Sequence, residues 1–479
     1  MSPVAIRLSI MMFLQFFVWG AWYVTAPNFL STIGFEPGDI ANTYSVGPIA
    51  GIITPLFVGM IADRLFSAQH VLGILHIAGG GLMFLAMQNM DGATSPDMLN
   101  WIFFGYMLTY YPTLALTNTV AMKNMTNPDK EFPYIRVFGT IGWIAAGVLL
   151  SAIEADNTIV MFQITAIAAV VLGAFSLSLP NTPPNKETGV SIGQLLGVDA
   201  LVLLKNKSYA IFMLASVLIC IPLAFYYQIA SRVVEKADIA MGVGATMSIG
   251  QASEVIFMVL MPLFFARLGV KKMLAVGMLA WVVRYLLFAF GAPADQRAMI
   301  LIGIALHGIC YDFFFVTGQI YTDQKAAEPI RAQAQGLLVM LTLGVGMLIG
   351  AQIAGKIEAD ASPKEMKPLQ DQQTALQGQI DELDKDADKE KIEELQAQKK
   401  EIRIAELNLV DWKTIWGIPA IGAAGILLFF LVTFHEDDDS TPTEAVAVTQ
   451  EMPEPELPQE ATDGIVAEDS AAPDEEATS

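Results

Sequence analysis

The sequence predicts an all-α integral membrane protein with twelve transmembrane helices arranged as two six-helix bundles. Three observations predict it. The 479 residues are 54% hydrophobic and only 16% charged, with a mean hydropathy of +0.50, too apolar for a soluble chain. Twelve apolar runs approach the roughly 20 residues that cross a hydrocarbon core. A polar, proline-bearing stretch after Pro180, "NTPPNKETGVSIGQLLGVDALVLLKNKS", leaves six runs on each side of it.

Taken in order, the first span, 8–29, follows Arg7 and is too long for the apolar core of a signal peptide. The second, 42–62, carries the small-residue face "GPIAG" with Pro48; the third, 69–88, carries "AGGG". The fourth, 98–121, is interrupted by Pro112, and the fifth, 133–154, contains Arg136 and "GTIGWIAAG". Span six is 158–179. Spans seven (208–230), eight (243–265) and twelve (412–434) contain Pro222, Pro262 and Pro419, which suit bends. Span nine, 272–291, holds Arg284; span ten, 298–321, holds Asp312; span eleven, 333–356, includes "GMLIG". The small-residue faces are the ordinary means by which helices approach closely in lipid.

The net charge of −21 is confined to two appendages. Residues from Glu436 onward hold fifteen acidic and no basic residues, and 357–408 hold fourteen acidic against eight basic, giving −15 and −6. The membrane body is neutral. Twelve Lys and Arg fall in connections on the N-terminal side of the membrane against three (Arg232, Lys236, Arg297) on the other, outside the insertion, so both termini are expected on the cytoplasmic side. The expected organisation is a first bundle at 1–180, a linker at 181–207, a second bundle at 208–434 with a periplasmic helical insertion at 357–408, and a disordered acidic tail at 435–479. In the insertion, Leu369, Leu376 and Leu383 repeat at sevens and Ile392, Leu395 and Ile402 continue a three-four pattern. An antiparallel helical hairpin extending spans eleven and twelve follows, and deleting 364–405 is expected to leave the activity of the membrane body largely intact. The tail cannot bury enough apolar surface to fold alone.

Short basic loops recur at equivalent places, "GMIADRLFSAQ" after span two and "FFARLGVKK" after span eight. Such an internal repeat with a long central loop marks transporters in which two bundles rock about a midplane site. Enzyme chemistry has no foothold: there is no phosphate loop, nucleophile elbow or metal-ligand spacing, and Cys220 and Cys310 both lie in apolar runs. No metal, cofactor or nucleic acid is implied, and a monomer in the lipid bilayer is expected.

The ionisable residues inside the spans are Arg136, Glu254, Arg284 and Asp312. Buried charges in lipid are costly and mark function or pairing. Two structural ion pairs would account for the charges alone. They would not account for the neighbouring Trp143, Tyr226, Tyr227, Gln228, Tyr311, Phe313 and Phe314, which suit a site for a small, flat, polar molecule. Gln251 and Glu254 share one helix face, and Thr140 lies one turn after Arg136.

Several blocks in order, "FLQFFVWGAW", "YMLTYYPTLALTNT", "FPYIRVFGTIGW", "LLGVDALVLLKNK", "SIGQASEVIF", "CYDFFFVTG" and "AQAQGLLVM", resemble the nucleoside:proton symporter family of the major facilitator superfamily. The resemblance implies substrate contacts from Arg136, Thr140, Trp143, Gln251, Glu254, Tyr311 and Asp312. Tyr227, Gln228, His307 and Phe314 complete the candidate substrate set, and Asp312, Glu254 and Arg136 the candidate proton-coupling set. The chain departs from the family at four places: Ala224 and Tyr227 stand for a glutamine and an asparagine, His307 for a tyrosine, and Trp143 for a phenylalanine. The expected activity is import of nucleosides by proton symport through alternating access. A related carrier of another polar metabolite such as a sugar, a passive facilitator, and a transporter-like sensor signalling through its tail are the alternatives.

Overall fold

The computed structural model describes residues 2–62, 66–90, 95–184, 198–384 and 388–436, with side chains except at 55–62, 128–130 and 381. The loop residues Asp63 and Arg64, the middle of the linker and the tail beyond Glu436 lie outside the described residues.

Each predicted span falls on helix. The first half is built from α1 (Pro3–Gly20), α2 (Pro37–Ala62), α3 (Ala68–Met87), α4 (Pro96–Lys123), α5 (Pro128–Ala152) and α6 (Val160–Ser176). A short helix, Ala26–Leu30, and a turn, Ser31–Ile33, join α1 to α2. The second half comprises α7 (Lys207–Lys236), α8 (Val243–Gly291), the composite helices α9 (Arg297–Lys325) and α10 (Glu328–Asp360), and α13 (Trp412–Thr433). Between α10 and α13 come α11 (Met366–Asp381) and α12 (Lys389–Leu409), packed on each other as a hairpin. Eight helices among the described residues are long and apolar enough to cross a membrane. One of them, α8, is divided into two limbs by a kink at Gly269, whose φ of 66° glycine adopts without a Cβ penalty. No strand appears among the described residues.

The local starts follow capping chemistry. Ser2 and Ser95 accept from the backbone N–H three residues on, with Pro3 and Pro96 at the first helical position. Asn206 does the same for α7, and Asp411 for α13. Asp411, with Pro363 opposite, breaks the helices at the hairpin base, where the Asp411 N–H donates to the Ala361 carbonyl at 3.1 Å. The hairpin is therefore a separate pair of helices, not an extension of the spans. Its expected first residue also falls inside α10, which runs on to Asp360 because Glu358 finds a buried ion-pair partner in Arg232 of α7.

Small residues seat the packing. A Cβ on Gly142 of α5 would overlap the Phe13 carbonyl of α1, and one on Gly73 of α3 would come within 2.9 Å of the Gly173 carbonyl of α6. In the first half, Gln15 donates to Thr113 at 2.8 Å and lies 2.8 Å from His76, so these buried polar groups satisfy each other. The halves meet along α5 with the first limb of α8 and α2 with α10. Gly147 and Gly244 face each other there; a Cβ on Gly244 would lie 2.6 Å from the Gly147 carbonyl. Towards the hairpin end of this seam, Gln352 of α10 donates to Ser45 of α2 at 2.8 Å. Asp156, in the α5–α6 loop, accepts from the Val243 and Gly244 N–H groups at 2.9 Å each and so caps α8 across the seam.

Candidate functional site

Half-way along the seam, half-buried aromatic and polar side chains converge from both halves. Trp19, at the end of α1, is the hub of the first half's contribution. Its ring lies 5.3 Å from Tyr23, 5.5 Å from Tyr110, 6.1 Å from Tyr111 and 5.4 Å, edge-on, from Trp143. The sequence places each ring by the small residue beside it. A Cβ on Gly20 would meet Trp143 at 3.0 Å, and Cβ atoms on Gly47 and Gly51 would meet Tyr111 at 3.1 and 2.9 Å. The face "GPIAG" thus seats a tyrosine. Tyr110 donates its hydroxyl to the Gln15 carbonyl at 2.8 Å, fixing the ring that backs Trp19.

Arg136 stands one turn before Thr140 on the same helix, its guanidinium 4.1 Å from the centre of the Phe16 ring. A Cβ on Gly139 would strike both groups, at 2.6 and 2.7 Å, so glycine there is what lets the cation lie against α1.

The second half supplies the acceptors. Gln251 and Glu254 lie on the first limb of α8; the Oε1 atom of Gln251 has no hydrogen-bond partner among the described residues. Glu254 is 15% exposed, with an oxygen 3.8 Å from Nε2 of His307. His307 is stacked between Tyr226 (5.4 Å) and Tyr311 (5.8 Å), and Tyr311 continues to Phe315 at 5.1 Å. Tyr227 closes the ring towards the first half, 5.9 Å from Tyr23. Asp312 is fully buried, and neither of its oxygens has a hydrogen-bond partner among the described residues. It opens a π-helical turn, Asp312–Val316, a kind of irregularity that recurs at functional positions.

The structure therefore brings Arg136, Thr140, Trp143, Tyr227, Gln251, Glu254, His307 and Tyr311 towards one place, with Asp312 behind Tyr311. It places two candidates elsewhere. Phe314 packs edge-on to Trp281 at 5.4 Å inside the second half. Gln228 is fully buried, close to Gly355 on α10, nearer the hairpin end than Tyr227. Ala224, where the resemblance leads one to expect glutamine, is buried against Gly350. Trp19, Tyr23 and Tyr111 are the contributors that sequence reasoning missed; the only signal was the aromatic density of "VWGAWY" and "TYYP".

Paired ions do not explain the charges. Among the described residues no ion pair joins Arg136 to Glu254, or Arg284 to Asp312. Arg284 instead donates to the carbonyls of Gly303 (2.8 Å) and Ile304 (3.4 Å) and stacks on Tyr226 with its guanidinium 3.8 Å from the ring centre. It buttresses the His307 stack from behind. Two further grooves, one between α1 and α5 and one among α7, α10 and α13, are lined without any charged residue.

The chain is similar to known transporters. The family model described as "Nucleoside H+ symporter" matches residues 1–376. YegT of Escherichia coli (strain K12), provisionally named a nucleoside transporter, is 36% identical over 443 residues, covering 90% of this chain and 94% of that protein. The xanthosine permease of the same organism is 33% identical over 369 residues, covering 74% of this chain and 87% of its own length. A crystal structure of a mutant of the nucleoside transporter NupG superposes with a TM-score of 0.76 at 27% identity, covering 90% of this chain and 100% of that one. With the family model spanning most of the chain and two relatives above 30% identity, the chain belongs to the nucleoside:proton symporter family, with the major facilitator fold.

Proposed function

We propose that this symporter binds the base of a nucleoside between the aromatic wall of the first half (Trp19, Trp143) and the Tyr227 and Tyr311 rings of the second. In this reading Gln251 and Glu254 receive the ribose hydroxyls, Arg136 and Thr140 line the remaining side, and Asp312 carries the coupled proton. The observation that carries the reading is the pairing of a four-ring cluster around Trp19 with an amide and a carboxylate from the facing helix. Flat apolar faces suit a base, and oriented acceptors suit a polyol.

The coupling step follows from charge alone. Two carboxylates, Glu254 and Asp312, repel each other, with Arg136 the cation on the facing half and Arg284 already held by the Gly303 and Ile304 carbonyls. Protonation of one relieves their repulsion and frees the guanidinium to reorient towards bound substrate. The bundles then rock with substrate and proton aboard, and loss of the proton on the other side resets the pair. One proton moving down about 150 mV supplies roughly 3.5 kcal/mol, enough for accumulation on the order of 300-fold. Both termini lie in the cytoplasm in this reading, the hairpin lies outside, and the protein works as a monomer in the bacterial inner membrane.

Uptake by purified protein in vesicles tests it. Uridine or adenosine should accumulate when an inward proton gradient is imposed and equilibrate without one. A sugar lacking any base that competes equally would remove the stacking assignment, and uptake indifferent to the gradient would make the chain a passive facilitator.

A further inference from the structure

The hairpin was expected to be a dispensable appendage, yet its buried surface carries charge. Arg403 of α12 is 5% exposed and Glu406 is 1% exposed. Arg403 Nη1 donates to Glu406 at 2.8 Å, while its Nε and Nη2 donate to Glu235 at the end of α7 at 3.2 and 3.1 Å. Its Nη2 also donates to the Ser31 hydroxyl at 2.9 Å, in the turn between α1 and α2 of the first half. Glu235 in turn accepts from Asn28 of the first half at 3.0 Å. Glu406 is held by Gln370 and Gln373 of α11 at 2.9 and 2.8 Å. One guanidinium thus touches the hairpin, the second half and the first half.

We infer that Arg403 is a positioning residue for the transport cycle, through which the hairpin holds the two halves together at its end of the seam. The inference rests on the alternating-access reading above. α11 and α12 are joined to the second half by chain and by the Asp411 N–H to Ala361 bond, so they travel with it. When the halves part at this end, the bonds that break include those from Arg403 to Ser31, from Asn28 to Glu235 and the Ser231 carbonyl, and from Gln352 to Ser45. The Arg403–Glu235 and Arg403–Glu406 pairs remain and keep the guanidinium aimed at the place where Ser31 returns. A buried cation satisfied by two carboxylates of its own half costs nothing further to desolvate on each closure, so the bond to Ser31 adds directly to the closed state. Deleting 364–405 removes this clasp, and such a variant is expected to accumulate substrate poorly.

The test uses the full chain with Cys220→Ala and Cys310→Ala, both free and buried, and spin labels at Glu36→Cys and Ala294→Cys, two exposed positions at this end on opposite halves. Arg403→Ala should shift the distance distribution towards separated halves by about tenfold in population, the scale of one charge-assisted hydrogen bond. Ser31→Ala should shift it in the same direction, and the double variant should add little to Arg403→Ala, because both remove one contact. Arg403→Lys should recover part of the shift. Hydrogen exchange of α11 and α12 distinguishes loss of the hairpin from loss of the clasp. If Ser31→Ala leaves the distances unchanged, or its effect adds fully to that of Arg403→Ala, Arg403 serves only to dock the hairpin and the inference falls. No substrate enters the distance measurement, so its failure is separate from any failure of the nucleoside reading.

Discussion

Substituting Asp156 should open the seam by a predictable amount. Its carboxylate accepts three donors: the Val243 and Gly244 N–H groups at 2.9 Å and the Ser151 hydroxyl at 2.9 to 3.0 Å; Ser151 accepts the Ala245 N–H at 2.9 Å. Three of the orphan amides that begin α8 are thus met from the opposite half. Removing a helix cap costs about 1 kcal/mol, and the negative charge at a helix N-terminus contributes up to about 1 kcal/mol more. In the parted state these amides face water, so the whole loss falls on the closed state. Asp156→Ala should therefore shift the equilibrium by about 2 kcal/mol, roughly 30-fold. Asp156→Asn keeps one of the two acceptor oxygens and loses the charge, so a shift between the roughly fivefold of the charge alone and that of Asp156→Ala is expected. Spin labels placed as above report the populations, and vesicle uptake reports the lost accumulation. Substrate affinity measured with the closed state trapped by a cross-link should be unchanged, since Asp156 is remote from the aromatic cluster. Distances identical to those of the parent in Asp156→Ala would show that the cap contributes nothing to closure and would refute the argument.

Four other outcomes are expected. Asp312→Asn should retain binding and counterflow exchange but lose gradient-driven accumulation; survival of accumulation removes Asp312 from the coupling step. Glu254→Gln should weaken nucleoside binding by about tenfold, the scale of a hydrogen bond to a charged group, in equilibrium binding assays. Trp19→Ala should weaken binding of nucleosides about tenfold through lost aromatic contact while leaving any binding of free ribose unchanged, measured by competition. In the hairpin, burial pushes the Glu406 carboxyl up, but Arg403, Gln373 and Gln370 outweigh it and hold it below its ordinary value. Its contribution to docking is therefore present above the ordinary carboxylate range and is lost as pH falls through the lowered value; exchange of α12 amides should quicken only in strong acid.

The spans were legible because lipid demands about 20 apolar residues and helical backbone, whatever else a segment does. The charges were legible for the same reason: Arg136, Glu254 and Asp312 stand out against such a background. Aromatics do not. Trp19 and Tyr111 carry no charge to mark them, and only their seating against Trp143, Gly47 and Gly51 separates site from packing. Phe314 was misplaced for a definite reason: the π-helical turn at Asp312 widens the period locally, so Phe315, not Phe314, meets Tyr311. Gln228 follows Tyr227 by one residue and therefore points about 100° away from it around α7. The seam contacts of Arg403 and Asp156 could not be read, because their partners in the other half lie 372 and 87 residues away in the chain.

The first limb of α8 begins at the amides capped by Asp156 and carries Gln251 and Glu254 within its first turns. From Gly244 to Glu254 is ten residues, about 15 Å of helix, with no proline between them. The contact that judges closure and the contact that judges cargo are thus two ends of one stiff rod. Linkage makes their influence mutual: whatever factor a bound molecule gains at Glu254 by having the cap in place, the cap gains by having that molecule bound. A molecule that fills the aromatic cluster without engaging Glu254 pulls on no such rod. It would be held and not carried, and the distinction between an inhibitor and a cargo would rest on a single carboxylate.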